Sequence, residues 1–280
     1  MFARHIFYKN NKNSFKNVLC LTNIPPTVKL NSMVYTLLHN YSYLKLPSSE
    51  SMINKINWFT RSLILKRYQK YTDKWIVQSE NMKSELVNKY SIKNDKIICI
   101  PFYDSKKMQK INVFKKKKNK FIYVSFDYSY KNHSNLIKAF TLAYNKCQKG
   151  ELHLTVSKDN LKLINQIKLN RKKGIPIYNH GIINSDKVSK LYSDSEFLIF
   201  PSKMESFGLP LIEAIYFRCK VLASDLPFVN VICKPSFKFD PYDVVSIADA
   251  ITNSMNSDSK KSELIIKDQT SDLIKLLIKG

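Results

Sequence analysis

The chain has 280 residues, 44% of them hydrophobic, with 46 Lys or Arg against 22 Asp or Glu, a formal net charge of +24. That length allows one large or two modest domains with a proper core, and it excludes a disordered or purely fibrous chain. The charge leaves three readings open: an anionic membrane surface, a solvated cationic face, and a nucleic-acid partner, the last disfavoured because the lysines are scattered.

The first residues, MFARHIFYKNNKNSF, contain no apolar h-region and so predict no signal peptide. No apolar run reaches the length that crosses a bilayer, so any membrane contact is expected to be peripheral. The five cysteines, Cys20, Cys99, Cys147, Cys219 and Cys233, are too far apart for a metal knuckle. They read as small buried residues of a reducing, cytoplasmic protein.

Val18–Leu21 reads as a strand, stopped by Asn23 and the Pro25-Pro26 pair, and Met33–Leu38 as a second that ends at His39. About Ser51 to Tyr71 reads as a helix. One apolar line on it is Ile56, Phe59 and Leu63, another is Ile64, Tyr68 and Tyr71, and Arg61, Lys66, Arg67 and Lys70 lie among them. Such a stripe is either a core face or a membrane-surface helix, and both stay open. Trp75–Gln78 is a third strand, Glu80–Tyr90 a helix capped by Ser79, and Ile97–Ile100 a fourth strand.

From Asp104 to Asn119 the chain turns polar, with four consecutive lysines at Lys115–Lys118. This predicts a first domain over 1–108, a basic linker over 109–119 and a second domain over 120–280. The second domain alternates strand and helix: Phe121–Val124, Asn132–Cys147, Leu152–Val156, Asn160–Lys172, Ile175–Tyr178, and Asp186–Tyr192 capped by Ser185. Phe197–Phe200, a helix opened by Pro210, Val221–Ala223, Phe237–Phe239, Val244–Met255 and a last helix over Glu263–Ile278 complete it. Alternating βα units imply an α/β fold with a parallel sheet covered on both faces.

The stretch FLIFPSKMESFGLPLIEAIYFRCKVLASD, 197–225, is the most informative. A buried strand runs into a loop and then a helix. Phe207, Gly208 and Leu209 stand where backbone N–H groups open that helix, a place for a phosphate. Glu205 and Glu213 flank it, and a carboxylate near a helix start is also favourable as simple end decoration.

Glu205-Ser-Phe-Gly-Leu-Pro-Leu-Ile-Glu213, with Phe-Pro-Ser before it and VLASDLP after it, resembles the E-x7-E signature of retaining GT-B glycosyltransferases of family 4, also called group 1. The resemblance covers about 120–251 closely and the front only loosely. It implies two Rossmann-like domains, the N-terminal one incomplete here, since the front lacks the family's glycine-rich loop: no glycine precedes Gly150. It further implies Glu205 beside the donor sugar, the Ser206, Phe207, Gly208 and Leu209 segment on the phosphates, and Glu213 on the ribose hydroxyls. Lys131 is placed on the diphosphate, Gly181 at the nucleotide base, and His39 at the catalytic cleft. The family commonly carries an Arg shortly before the lysine, where this chain has Ser125, Phe126 and Asp127. The implied reaction is sugar transfer with retention from a nucleotide-diphosphate sugar to a glycan or lipid-linked acceptor in surface polysaccharide, O-antigen or lipopolysaccharide assembly. It uses neither metal nor cofactor, and no nucleic acid. A truncated nucleotide-sugar-binding module is the alternative, and a hydrolase is disfavoured because the FGLP loop has no use in one.

Overall fold

The computed structural model describes residues 2–46, 52–109, 115–257 and 260–279. It divides into two compact units, residues 1–104 with 267–280, and residues 105–266. The expected α/β class with parallel sheets is found in both.

The first unit opens with a helix, α1 (Phe2–Asn10). Then follow β1 (Asn17–Cys20), β2 (Met33–Leu37), α2 (Met52–Tyr68), β3 (Lys74–Val77), α3 (Glu80–Tyr90) and β4 (Ile97–Cys99). The four strands form one parallel sheet in the order β1-β2-β3-β4. Successive side chains on β2 point to opposite faces. Val34 therefore joins Cys20 and Leu30 on one side, while Tyr35 and Leu37 join Ile76 on the other. Ser79 caps α3 as expected, its hydroxyl accepting from the Met82 N–H at 3.3 Å.

The second unit begins with α4 (Ser105–Gln109) and β5 (Lys117–Tyr123). The expected linker over 109–119 thus ends inside a strand, and its residues 110–114 lie outside the described ones. Next come α5 (His133–Cys147), β6 (Glu151–Leu154), α6 (Leu161–Lys172), β7 (Ile177–Asn179) and α7 (Ser185–Asp194). Asn184, not Ser185, caps α7: its side chain accepts from the Lys187 N–H at 3.1 Å, and Ser185 is already helical. Then follow β8 (Ser195–Phe200), α8 (Leu209–Tyr216), β9 (Lys220–Ser224), α9 (Pro227–Asn230), β10 (Cys233–Lys234), β11 (Phe237–Phe239), α10 (Val244–Asn256) and β12 (Glu263–Leu264).

Six of these strands make a parallel sheet in the order β11-β9-β8-β5-β6-β7, and β10 pairs antiparallel with β12. The core is centred on β5 and its neighbours. Phe121 stacks on Phe197 with ring centroids 4.8 Å apart and meets Phe140 of α5 edge-on at 6.1 Å. The winding runs outward from β5 to β6 and β7, returns to β8 on the other side of β5, and continues to β9 and β11. The reversal between β5 and β8 is a topological switch point, where a crevice opens outside the strands' carboxyl ends.

The last helix, α11 (Thr270–Lys279), belongs to the first unit rather than the second, which corrects the expected boundary. It is also shorter than the helix read over Glu263–Ile278. Leu273, Leu276 and Leu277 share one face at helical spacing and pack on Tyr35, Leu37 and Ile76. That apolar face of β2 and β3 needs a cover, and the chain's end supplies it.

Candidate functional site

β5 and β8 are adjacent, so the loops that leave their carboxyl ends meet. The β5 loop runs through a short 3-10 turn, Ser129–Lys131, before α5. The β8 loop passes Pro201 and Ser202 to the start of α8. They are tied by the Lys203 N–H donating to the Tyr130 carbonyl at 2.9 Å. The switch point therefore brings together two residues 74 positions apart: the Lys131 ammonium lies 2.6 Å from a Glu205 carboxylate oxygen. Both side chains are largely buried, 13% and 9% exposed, so this is no solvated surface pair.

Buried groups hold the pair in place. The Tyr123 hydroxyl, at the end of β5, donates to the Lys131 carbonyl at 2.9 Å. Its own pKa is pushed well above the ordinary phenol value by burial and by the Glu205 charge, so it stays a donor. Its ring is wedged between His133 at 4.7 Å and Phe200 at 5.8 Å. The Ser224 hydroxyl, on β9, donates to the Ser202 carbonyl at 2.9 Å and fixes the base of the β8 loop. Tyr123 escaped the sequence reading because it looks like any apolar strand residue.

A cavity of about 260 Å³ opens beside the pair, at the carboxyl ends of β5, β6 and β7. Lys131 lines it together with Phe126, Thr155, Ile182 and Pro210. Its walls are mostly apolar with one cation among the described lining residues, a composition typical of small-molecule sites. Phe126 is exposed at its lip and begins an aromatic strip: its ring lies 6.1 Å from Tyr128, which stacks on Tyr130 at 5.6 Å. The alternation Phe126-x-Tyr128-x-Tyr130 after a strand is the sequence signal for this strip.

The start of α8 is set by Gly208, the N-cap, at φ 79°. A Cβ there would stand 3.0 Å from the tip of the Ile232 side chain and in a left-handed backbone, so the position favours glycine. Phe207 and Gly208 are buried, Ser206 is half-buried and Leu209 is exposed. From this helix start it is Pro210, not the expected Phe207–Leu209 segment, that lines the cavity. Glu213 is half-buried beside the buried Tyr192 hydroxyl, whose pKa is raised by burial and by the Glu213 charge. It does not line the cavity either.

Gly181 sits on the loop after β7 at φ 69°, next to cavity-lining Ile182. The loop is anchored twice. Asn179 accepts from the Gly181 and Val156 N–H groups at 3.3 and 2.8 Å. His180 is hydrogen-bonded to His153 at 2.8 Å, and His153 in turn to Glu151 at 3.0 Å. Burial and the nearby Lys120 lower the His153 pKa to about 4, so the pair is neutral at pH 7.

His39 belongs to the first unit, at the end of β2. Its N–H donates to the Asn23 side chain at 2.8 Å, and Asn23 adopts φ 64°. The residue is exposed, but the desolvation of its inner edge lowers its pKa below the usual imidazole value. Among the described residues no group of three or more His, Cys, Asp or Glu is placed to hold a metal ion.

The comparisons with known proteins agree on the fold. The O-antigen chain mannosyltransferase RfbU of Salmonella typhimurium is 26% identical over 211 residues, covering 73% of this chain. The chain spans only 56% of the length of that curated relative. Among solved structures, a variant of S. aureus TarM in complex with fondaparinux, alpha-GlcNAc-glycerol and UDP superposes with a TM-score of 0.69 at 16% identity, over 90% of this chain and 51% of that one. Sucrose-phosphate synthase from Thermosynechococcus elongatus gives 0.68 at 17% identity, over 91% of this chain and 68% of that one. At such identity the likeness shows the fold, that of GT-B glycosyltransferases. The sequence model of the family described as Glycosyl transferases group 1 matches residues 104–270, more than half of the chain, and the chain belongs to that family.

Proposed function

We propose that this chain is a family 4 glycosyltransferase that moves a sugar from a nucleotide-diphosphate donor to a glycan acceptor with retention and without a metal. The observation that carries the reading is the buried Lys131–Glu205 pair at the β5/β8 switch point, beside an apolar cavity. Lys131 would swing from Glu205 to the donor diphosphate, and Glu205 would accept hydrogen bonds from the donor sugar's hydroxyls. The anomeric carbon–phosphate oxygen bond breaks, and its electron pair leaves with the diphosphate. The acceptor oxygen bonds to the anomeric carbon on the same face, and its proton goes to a phosphate oxygen. Lysine and helix start stabilise the charge that develops there. Glu213 is assigned to the ribose, Gly181 to the base, Ser206–Leu209 to the phosphates, and His39 to the donor sugar. By likeness to RfbU, the setting is polysaccharide assembly, with a lipid-linked acceptor at the cytoplasmic face of a membrane. No helix among the described residues is long and apolar enough to cross one.

The test is a thermal-shift screen with UDP-, GDP-, ADP- and dTDP-sugars, followed by a transfer assay. A donor raises Tm by mass action. Glu213→Ala weakens donor binding; Glu205→Ala and His39→Ala chiefly lower turnover. If Glu205→Ala and Glu213→Ala bind and turn over donor like the parent, the site is misassigned. A second reading is a binding module without turnover. It draws on the same contact, since Glu205 neutralises the one described cation of the cavity. Donor binding with neither transfer nor donor hydrolysis would establish it.

A further inference from the structure

The positive charge of this chain is not evenly spread. Residues 1–72 carry eleven Lys or Arg and one Asp or Glu, while residues 73–280 carry thirty-five and twenty-one. Within that basic stretch α2 turns an apolar line to solvent. Met52, Ile56, Phe59 and Leu63 follow one another at intervals of four, three and four residues, and they are 72%, 58%, 58% and 49% exposed. At 3.6 residues per turn the four fall within an arc of about 60°. The helix's other side does the packing: Leu65 is fully buried, the Ser62 hydroxyl is hydrogen-bonded to that of Tyr90 at 3.0 Å, and the Lys89 ammonium lies 3.8 Å from the centre of the Trp58 ring. The core-face reading of the Ile56, Phe59 and Leu63 line is thereby corrected. Lys55 and Lys66 flank it on one edge and Arg67 on the other, and α2 contains no acidic residue.

We infer that α2 is the docking element for an anionic lipid bilayer. It lies flat, with the four apolar side chains in the boundary between headgroups and acyl chains. Lys55, Lys66 and Arg67 reach up along its edges to lipid phosphates. Charge complementarity selects this occupant. A second copy would bring the same eleven-to-one excess of cations against itself. A nucleic acid would meet the cations but leave the apolar line in water. The inference names the element behind the membrane setting proposed above and rests on that reading for its purpose.

The experiment is flotation of the full chain with phosphatidylcholine–phosphatidylglycerol vesicles and with pure phosphatidylcholine vesicles, at low and high salt. The parent floats with the mixed vesicles only, and less at high salt. Ile56→Asn with Phe59→Ser lowers partitioning at least about tenfold. Each of Lys55→Ala, Lys66→Ala and Arg67→Ala lowers it about fivefold. All five positions are exposed, so melting temperatures stay at the parent's. As an independent readout, Phe59→Trp emission shifts to the blue with the mixed vesicles. The inference is overturned if the parent stays in the aqueous fraction or if the variants float equally well. It is overturned too if the parent self-associates and the Ile56/Phe59 double variant does not, which would give the line to a second copy. Donor thermal shifts on the same proteins keep the two readings apart: flotation without any donor shift would sink the donor site and leave the docking helix standing.

Discussion

Lys131 and Glu205 show what one close contact is worth. Removing the ammonium leaves a carboxylate nearly out of water with its strongest partner gone. Lys131→Ala is expected to cost up to about 3 kcal/mol by chemical denaturation, while Lys131→Arg should recover most of that loss. Gly208→Ala combines a left-handed backbone with a 3.0 Å clash and should cost about 1–3 kcal/mol. The buried histidines give a pH dependence. Burial holds His133 at about 4, and burial with Lys120 holds His153 there too, against 6.5 unfolded. Between those values the unfolded chain binds more protons than the folded one. Their contribution is therefore fully present above about pH 6.5 and is lost as pH falls toward about 4. A Tm series from pH 7 to pH 4 should decline, and His133→Phe should flatten it, because that ring has no hydrogen-bond partner among the described residues to lose. Glu205 and Gly208 could be singled out from one local stretch and Lys131 from another, the loop between a strand and a helix, while their meeting could not. Phe126 carried a signal in its alternation with Tyr128 and Tyr130, whereas Tyr123 carried none, because its hydrogen bond to the Lys131 carbonyl exists only once the loop after β5 has folded back.

Most elements were legible to within a few residues, since strands of three to seven residues and helices with one apolar face announce themselves by period. Ser79 was found because a cap must precede its helix directly; Ser185 lost to Asn184 because two good caps stood side by side. The last helix was read too long. Residues 263–269 read ELIIKDQ, whose aliphatic run suits a strand as well as a helix, and the two-residue strand β12 is formed only by pairing with β10. Its docking sets a prediction at this scale. Leu276→Ala and Leu277→Ala each remove half-buried contacts with the β2 and β3 face and should cost about 1–2 kcal/mol. Loss should appear in the first unit, read by faster proteolysis within residues 1–104.

For the whole molecule, the two units differ in how their sheets are covered. The six-stranded sheet is wound with all its intervening helices drawn from its own unit, as expected from alternating βα units. The four-stranded sheet borrows α11 from the far end of the chain, so deleting residues 267–280 should expose Tyr35, Leu37 and Ile76 and lower the solubility of the whole chain, checked by light scattering.

By itself the sequence determined the α/β class, the parallel sheets and the identity of the FGLP helix start, because hydrophobic period, helix punctuation and a glycine forced to positive φ are properties of a few consecutive residues. Only the tertiary structure decided that Lys131 pairs with Glu205, that α11 closes the first sheet and that the Ile56–Leu63 line faces water. Each is a matter of which distant surfaces meet, and a local pattern says that a face is apolar without saying what, if anything, will cover it.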